Sequence, residues 1–110
     1  MGGAIAPGIV LANRSLTDYT AKLPRVDIAK TRRVICHTTK TAMQSGVFHG
    51  YAGLVEHMIM KIKREMPSKP VVIATGGLAK LIATEATHID HIHPELTLDG
   101  LRRMWDKRNV

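Results

Sequence analysis

The sequence has 110 residues, enough for one small domain or for part of a larger one. Apolar residues make up 45% and charged residues 23%, a balance that is typical of a globular chain and excludes a disordered one. Sixteen Lys and Arg against nine Asp and Glu give a formal net charge of +7, which would suit nucleic acid or another anionic partner.

Three further features of the sequence limit the kinds of partner, compartment and membrane association that it could have. The basic residues are dispersed and aromatic residues make up only 4%, so few side chains could stack on bases, and a solvated basic face is favoured over a nucleic-acid site. The single cysteine, Cys36, excludes an internal disulfide and favours the cytosol. No apolar stretch reaches the ~20 residues of a membrane span, and no basic residue precedes the apolar stretch at 4–12, so no secretory signal is predicted.

In chain order, the first elements are short. Residues 2–8 are rich in glycine and predict a short strand or turn that bends at Pro7 and Gly8. Apolar residues then recur at near-helical spacing until Pro24 ends the run, at Leu11, Leu16, Tyr19 and Leu23. Residues 25–28 alternate polar and apolar, which predicts an exposed strand, and residues 31–40 predict a loop.

The strongest pattern predicts a long helix from about Thr39 to Glu65. Its apolar stripe consists of Met43, Val47, Leu54, Met58 and Ile62. Gly46, Gly50 and Gly53 form a second stripe without side chains, and each costs about 1 kcal/mol of helix stability relative to alanine. Such a stripe favours close approach by a strand, a helix or a partner subunit, with tight packing inside the domain as the alternative.

The last third of the chain alternates strands and helices. Val71–Thr75 is apolar and β-branched, which predicts a strand buried on both faces. Gly76 and Gly77 follow, then a short helix from Leu78, a short segment at 89–92, and a last helix with Thr97 as its N-cap. The buried strand needs more neighbours than this sequence supplies, so we expect a partner or residues preceding Met1 to provide them.

Three groups of residues could carry chemistry. The Gly76-Gly77 turn at the end of a strand would let a nucleotide or phosphate approach the backbone, although many such turns are purely steric. Thr39, at the start of the long helix, could cap it or bind a polar substrate. His88, Asp90, His91 and His93 are metal-ligand types, but their spacing fits no single helix face, and exposed loop histidines are favoured. Cys36 and His37 have the residue types of a nucleophile and its base, but sequence neighbours rarely point at each other, so no catalytic pair is predicted.

Six segments together resemble the type III pantothenate kinases in order and spacing along nearly the whole chain. They are residues 2–9 (GGAIAPGI), 21–26 (AKLPRV), 42–46 (AMQSG), 50–53 (GYAG), 72–79 (VIATGGLA) and 96–101 (LTLDGL). Any one of these segments is a weak signal, but six in register are distinctive.

The resemblance implies an α/β fold of the actin-like, ribonuclease-H-like ATPase class, a mixed sheet flanked by helices, with residues 1–110 forming the C-terminal part of such a domain. It implies transfer of the ATP γ-phosphate to pantothenate, the first committed step of coenzyme A synthesis. It also implies Mg²⁺, a monovalent cation such as potassium or ammonium, and a cytosolic homodimer without membrane association. The N-terminal domain and first strands, with the phosphate-binding and catalytic aspartate segments, have no counterpart here.

Few site residues of the family can be matched. Thr39 corresponds to the threonine that contacts pantothenate, although the residues before it, Cys36-His37-Thr38, depart from the family's Gly-Lys-Asn. Thr75, Gly76 and Gly77 correspond to the turn beside the adenosine, and no catalytic or metal-binding residue is carried over. We therefore expect the isolated chain to lack kinase activity. The alternatives are a non-catalytic oligomerising module that uses the Gly46–Gly53 face, and a small basic nucleic-acid-binding protein.

Overall fold

The computed structural model describes residues 2–19 and 22–109. In that part of the chain the elements are α1 (Ile9–Asp18), α2 (Thr39–Glu65), β1 (Ile73–Ala74), α3 (Ala79–Ala83), β2 (His91–Ile92) and α4 (Leu96–Arg108). This composition confirms the α/β class predicted from the sequence. The chain divides into two compact units, Met1–Leu54 and Val55–Val110, and each is described by itself.

Helix α1 of the first unit differs from the predicted helix at both ends. It begins at Ile9, where the extended backbone of Gly8 provides the N-cap and Gly8 O accepts the Ala12 N–H at 3.0 Å. It ends at Asp18, before the predicted stop at Pro24, and Thr20 and Ala21 lie outside the described residues. Ile9 is its buried residue, whereas Leu11 and Tyr19 of the predicted apolar face are 60% and 87% exposed. Residues 2–8 form no strand.

The predicted strand at 25–28 is wrong, because these residues have no strand partner in the described part of the chain. Two side-chain amides satisfy its carbonyl groups instead. Asn13 Nδ2 donates to Val26 O at 2.9 Å, and Gln44 Nε2 donates to Asp27 O at 3.0 Å. The alternating pattern therefore belongs to an extended segment whose carbonyl groups bind side chains of two helices, and not to a strand paired in a sheet.

Helix α2 has the predicted bounds, Thr39–Glu65. Its burial is concentrated in the half that belongs to the first unit, where Phe48 is completely buried and Met43, Val47 and Ala52 are also buried. The predicted apolar stripe is only partly confirmed, because Leu54 and Ile62 are 37% and 44% exposed. The core of the first unit thus lies under the N-terminal half of α2.

In the second unit, β1 and β2 pair in parallel, with Ile73 opposite His91 and Ala74 opposite Ile92. Of the strand predicted at 71–75, the structure has Ile73–Ala74 as β1, and the predicted burial on both faces is wrong. Val71 and Ile73 are 65% and 50% exposed, because β1 has one neighbour in the described chain and no layer over both faces. Among residues 55–109, the buried apolar side chains are those of Ile82 in α3 and Ala86.

Helix α4 carries no buried residue. Glu95, not Thr97, occupies the N-cap position, and no side chain caps the helix, so the predicted cap is wrong. Four apolar side chains of α4 are more than half exposed, namely Leu98, Leu101, Met104 and Trp105. The amphipathic pattern of α4 is therefore present without a partner for its apolar side.

Candidate functional site

The hydroxyl group of Thr39 is not used to cap α2. That role belongs to Thr38, whose Oγ1 accepts the Thr41 N–H at 3.1 Å and lies 2.6 Å from Thr41 Oγ1. Thr38 O also accepts the Ala42 N–H at 2.9 Å, which closes the first turn. Thr39 is the first helical residue, it is exposed, and no hydrogen bond within the described residues uses its hydroxyl. The structure therefore leaves Thr39 able to hydrogen-bond a ligand.

Thr39 lies at one end of an apolar groove of about 640 Å³ in the first unit. The rest of the groove is lined by Ala12, Leu16, Leu23, Ala42, Met43, Gly46, Val47, Gly50, Tyr51 and Leu54. All three glycines of the predicted stripe are exposed, and a Cβ built at any of them meets no heavy atom within 4 Å. Tight packing of these glycines inside the described chain is thus not observed, and this surface, the glycine face, is open.

The loop that leads to Thr39 is held by side chains of α2. Ser45 Oγ donates to Val34 O, and Ser45 is 1% exposed. His49 Nε2 lies 3.0 Å from Thr31 O, and its ring meets Phe48 edge to face at 4.9 Å. Buried polar groups that are fully paired fix one conformation, so α2 determines the path of residues 31–35 and the approach to Thr39.

The second predicted site, Thr75-Gly76-Gly77, follows β1 in the second unit. Gly76 has φ of +109°, in the region that favours glycine, so the turn requires glycine at this position. Gly77 has no such φ and has open space around it. Thr75, Gly76 and Gly77 are all exposed, as expected of residues that a ligand could approach.

The helix after this turn is shorter than an anion site at a helix start would need. Helix α3 spans five residues, and Ala79 N–H donates to Gly76 O at 3.3 Å. One of the amide groups that could face a phosphate is therefore already engaged. The turn fits close contact with a base or ribose better than it fits binding of the phosphate chain.

The histidines at 88, 91 and 93 do not converge. His88 Nδ1 contacts Glu56 Oε2, and His93 Nε2 lies 3.0 Å from Asp99 Oδ2. His91 is exposed on β2. No group of three His, Cys, Asp or Glu side chains that could hold a metal ion is present among residues 2–19 and 22–109.

Sequence reasoning missed the Glu56–His88 contact. Glu56 Oε1 also accepts the backbone N–H of His88 at 2.8 Å. Partial burial opposes ionisation of Glu56, but the hydrogen bonds from His88 outweigh it and lower the pKa of the carboxyl group. Because the two residues are 32 positions apart, no local pattern could have revealed this pair.

Asp90, like Glu56, accepts a hydrogen bond from a backbone amide. Its Oδ2 accepts the Val72 N–H at 2.8 Å, and this hydrogen bond is the main cause of a lowered Asp90 pKa. Asp90 thus stabilises the start of β1.

Cys36 is a free thiol that donates to Arg33 O at 3.4 Å. Among the described residues, no contact joins it to His37, so the two do not form a nucleophile and base. None of the helices, within the same residues, is both long enough and apolar enough to cross a membrane.

Comparison with known proteins gives a consistent result. The family model described as type III pantothenate kinase matches residues 1–61. A type III pantothenate kinase of Syntrophus aciditrophicus is 47% identical over 109 residues, and one of Bacillus cytotoxicus is 44% identical over 110 residues. These alignments cover 99% and 100% of this chain but 42% of each relative. The chain therefore spans less than half the length of the curated relatives it matches.

Proposed function

The chain belongs to the type III pantothenate kinase family, and we propose that it forms part of an enzyme that transfers the γ-phosphate of ATP to pantothenate, giving 4′-phosphopantothenate for coenzyme A synthesis. The observation that carries this proposal is the identity of 44–47% to two such kinases over 99–100% of this chain. Identity of this extent supports a shared reaction for the complete enzyme, of which this chain supplies a part.

In this proposal Thr39 orients pantothenate. Its exposed hydroxyl is spared from capping because Thr38 caps α2, so it can donate to or accept from a polar substrate group. The groove beside it offers apolar lining for the rest of a small molecule or for a protein surface. Positioning of this kind matters because phosphoryl transfer depends on alignment of the attacking hydroxyl group.

The turn formed by Thr75, Gly76 and Gly77 would lie against the adenosine of ATP. Two adjacent residues without side chains let a flat base or a ribose come close to the backbone. The positive φ of Gly76 fixes the direction of the turn before any ligand binds. The role is one of shape, since no charged side chain belongs to the turn.

The metal ions of the proposed enzyme would be held elsewhere. Within the described residues no three His, Cys, Asp or Glu side chains meet, and we place no step of the reaction through Mg²⁺ on residues of this chain. The monovalent cation, potassium or ammonium, would likewise be held by residues outside this chain. The catalytic aspartate would likewise come from the part of the family that this chain does not span.

The fold and assembly belong to the same proposal. Residues 1–110 would be the C-terminal part of an actin-like ATPase domain, which agrees with the parallel β1–β2 pair flanked by helices. The enzyme would be a cytoplasmic homodimer, and the open glycine face of α2 offers a surface for the second copy.

The experiment is an ADP-release assay with ATP, pantothenate and Mg²⁺ in potassium buffer. We expect no turnover from this chain alone, and turnover when it replaces the corresponding region of the Bacillus cytotoxicus kinase. In that hybrid, Thr39→Ala should raise KM for pantothenate about tenfold, since a hydrogen bond to a substrate is worth about 1.4 kcal/mol. Thr17→Ala is the control, because Thr17 lies on α1 and does not line the groove. A folded hybrid without activity would contradict the proposal.

A further inference from the structure

The first unit has a second pocket, of about 280 Å³, which we call the polar pocket. Its lining comes from α1, from the extended segment 25–27 and from the start of α2. It includes six charged or amide side chains, those of Asn13, Arg14, Asp18, Arg25, Asp27 and Lys40. No described residue lines both this pocket and the apolar groove beside Thr39. A small polar ligand could therefore bind here without entering the groove.

Positive charge is concentrated in the unit that holds the polar pocket. Residues 1–54 contain seven Lys and Arg against two Asp, a formal charge of +5. Residues 55–110 contain nine Lys and Arg against seven Asp and Glu, a formal charge of +2. Three of the seven cations line the pocket, namely Arg14, Arg25 and Lys40. An anion is therefore attracted to the first unit, and within it to a concave site where three cations meet.

The three cations keep their hydrogen-bond donors free. Arg14 Nε lies 3.9 Å from Asp18 Oδ2, which is too far for a hydrogen bond. Among residues 2–19 and 22–109, no ion pair uses Arg25 or Lys40. Lys40 is also the second residue of α2, and the N-terminus of a helix carries partial positive charge.

The positions of the cations favour phosphate over carboxylate. One cation belongs to α1, one to the extended segment and one to α2, so they reach the pocket from three parts of the fold. A phosphate group has three strong acceptor oxygens, whereas a carboxylate has two oxygens in one plane. Three separate donors therefore match a phosphate group better.

The pocket also has acceptors that need a donor. Asn13 Nδ2 donates to Val26 O at 2.9 Å, but Asn13 Oδ1 is buried and has no hydrogen-bond partner in the described chain. A buried acceptor left without a donor costs about 1–3 kcal/mol. The carboxylates of Asp18 and Asp27, which also line the pocket, accept hydrogen bonds as well. The matching ligand carries hydroxyl groups, since these donate without adding positive charge beside the three cations.

We propose that the polar pocket binds a small phosphate ester that carries hydroxyl groups, of the polyol phosphate or sugar phosphate class. The three cations hold the phosphate group, and the hydroxyl groups donate to Asn13, Asp18 and Asp27. A volume of about 280 Å³ lies just below that of pockets for drug-sized molecules, which suits a ligand of this size. The proposal does not depend on the proposed function, because neither Thr39 nor Gly76 takes part.

The test is a titration of the full chain at constant ionic strength, followed by two-dimensional NMR. The probes are glycerol phosphate, methyl phosphate and malonate. We expect glycerol phosphate to give saturable shifts that include the Asn13 side-chain amide and the Lys40 backbone amide. Methyl phosphate, which has no hydroxyl group on its carbon, should bind at least about fivefold more weakly, and malonate, a dicarboxylate, at least about tenfold more weakly.

Three outcomes of this titration would overturn the proposal. The first is the absence of saturable binding. The second is a set of shifts spread evenly over the basic residues of the chain, which would show attraction by net charge alone. The third is binding of malonate or methyl phosphate as tight as that of glycerol phosphate, which would remove the assigned ligand class.

Matched variants separate the pocket from the charge of the unit. Arg25→Gln and Lys40→Gln each remove one cation of the pocket and should weaken glycerol phosphate at least about tenfold, because hydrogen bonds to charged groups are strong. Arg32→Gln removes the same charge from an exposed residue of the same unit that does not line the pocket, and should weaken binding less than about twofold. All three side chains are exposed, and circular dichroism at 222 nm checks that each variant keeps its helices. Equal weakening by Arg32→Gln and Arg25→Gln would contradict the site.

Discussion

Two carboxylate groups in the second unit accept backbone amides. Glu56 accepts the N–H of His88, and Asp90 accepts the N–H of Val72. Both contacts lower the pKa of the acid, Glu56 against the opposing effect of its partial burial and Asp90 with help from nearby Lys63. An acid whose pKa is lower in the folded state stabilises that state only while it is ionised.

For Glu56 this gives a pH dependence of definite sign. Its contribution to stability is fully present above the ordinary pKa of 4.5 and is lost as the pH falls through the lower pKa of the folded state. Glu56→Gln should reduce the free energy of unfolding at pH 7 by about 1–2 kcal/mol, since hydrogen bonds to charged groups are worth about that much. Urea titrations at pH 7 and pH 3 measure it. A difference between variant and wild type that does not shrink at pH 3 would contradict the argument.

The glycine pair after β1 allows a second comparison of single residues. Gly76→Ala should destabilise the second unit by about 1–2 kcal/mol, because its φ of +109° is unfavourable for a residue with a Cβ. Gly77→Ala should change stability by no more than about 0.5 kcal/mol, because nothing lies within 4 Å of the added Cβ. Thermal and urea unfolding of both variants test this, and equal effects would disprove the distinction.

At the level of elements, the start of α2 has one threonine that caps the helix, Thr38, and one whose hydroxyl is exposed, Thr39. Thr38→Ala removes the cap of a 27-residue helix and should cost about 1 kcal/mol of stability. Thr39→Ala removes a hydroxyl with no partner in the described chain and should leave stability nearly unchanged. Denaturation midpoints followed by circular dichroism at 222 nm would test the pair. If Thr39→Ala were the more destabilising change, the assignment of the cap would be wrong.

How far the elements could be predicted depended on whether the signal was local. The bounds of α2 followed from its periodicity, and the turn at Gly76 followed from its glycines, since both are set by neighbouring residues. The N-cap of α4 was misplaced because Thr97 resembles a cap residue and Glu95 does not. The segment at 25–28 alternates like a strand, but amides from Asn13 and Gln44, distant in sequence, decide its conformation.

Some residues of the candidate site could be predicted from the sequence, and some contacts of the second unit could not. Thr39 and Gly76 were identified from their segments, and the structure leaves both exposed. The burial of β1 was overestimated because an apolar strand indicates the sheet it belongs to and not the neighbours that one chain provides. The contact of Glu56 with His88 could not be found at all without the fold.

For the whole molecule, the open glycine face predicts its state of assembly. Two copies meeting through glycines can bring their backbones close, and a large side chain there would separate them. We expect the chain to sediment as a dimer and Gly50→Leu to weaken dimerisation about tenfold or more. Gly100→Leu, on α4 with equally open space, is the control. An unchanged sedimentation profile for Gly50→Leu would exclude this face as the interface.

Two side chains of α2 hold residues 27–34 by hydrogen bonds, Gln44 to Asp27 O and Ser45 to Val34 O. An amide and a hydroxyl keep the same charge from acid to alkaline solution, so these attachments do not respond to proton concentration. In the second unit, the hydrogen bonds between the Glu56 carboxylate and His88 do depend on pH, because they require the ionised acid. Acidification below pH 4.5 should therefore weaken the attachment of Glu56 to His88, while the attachments made by Gln44 and Ser45 are kept.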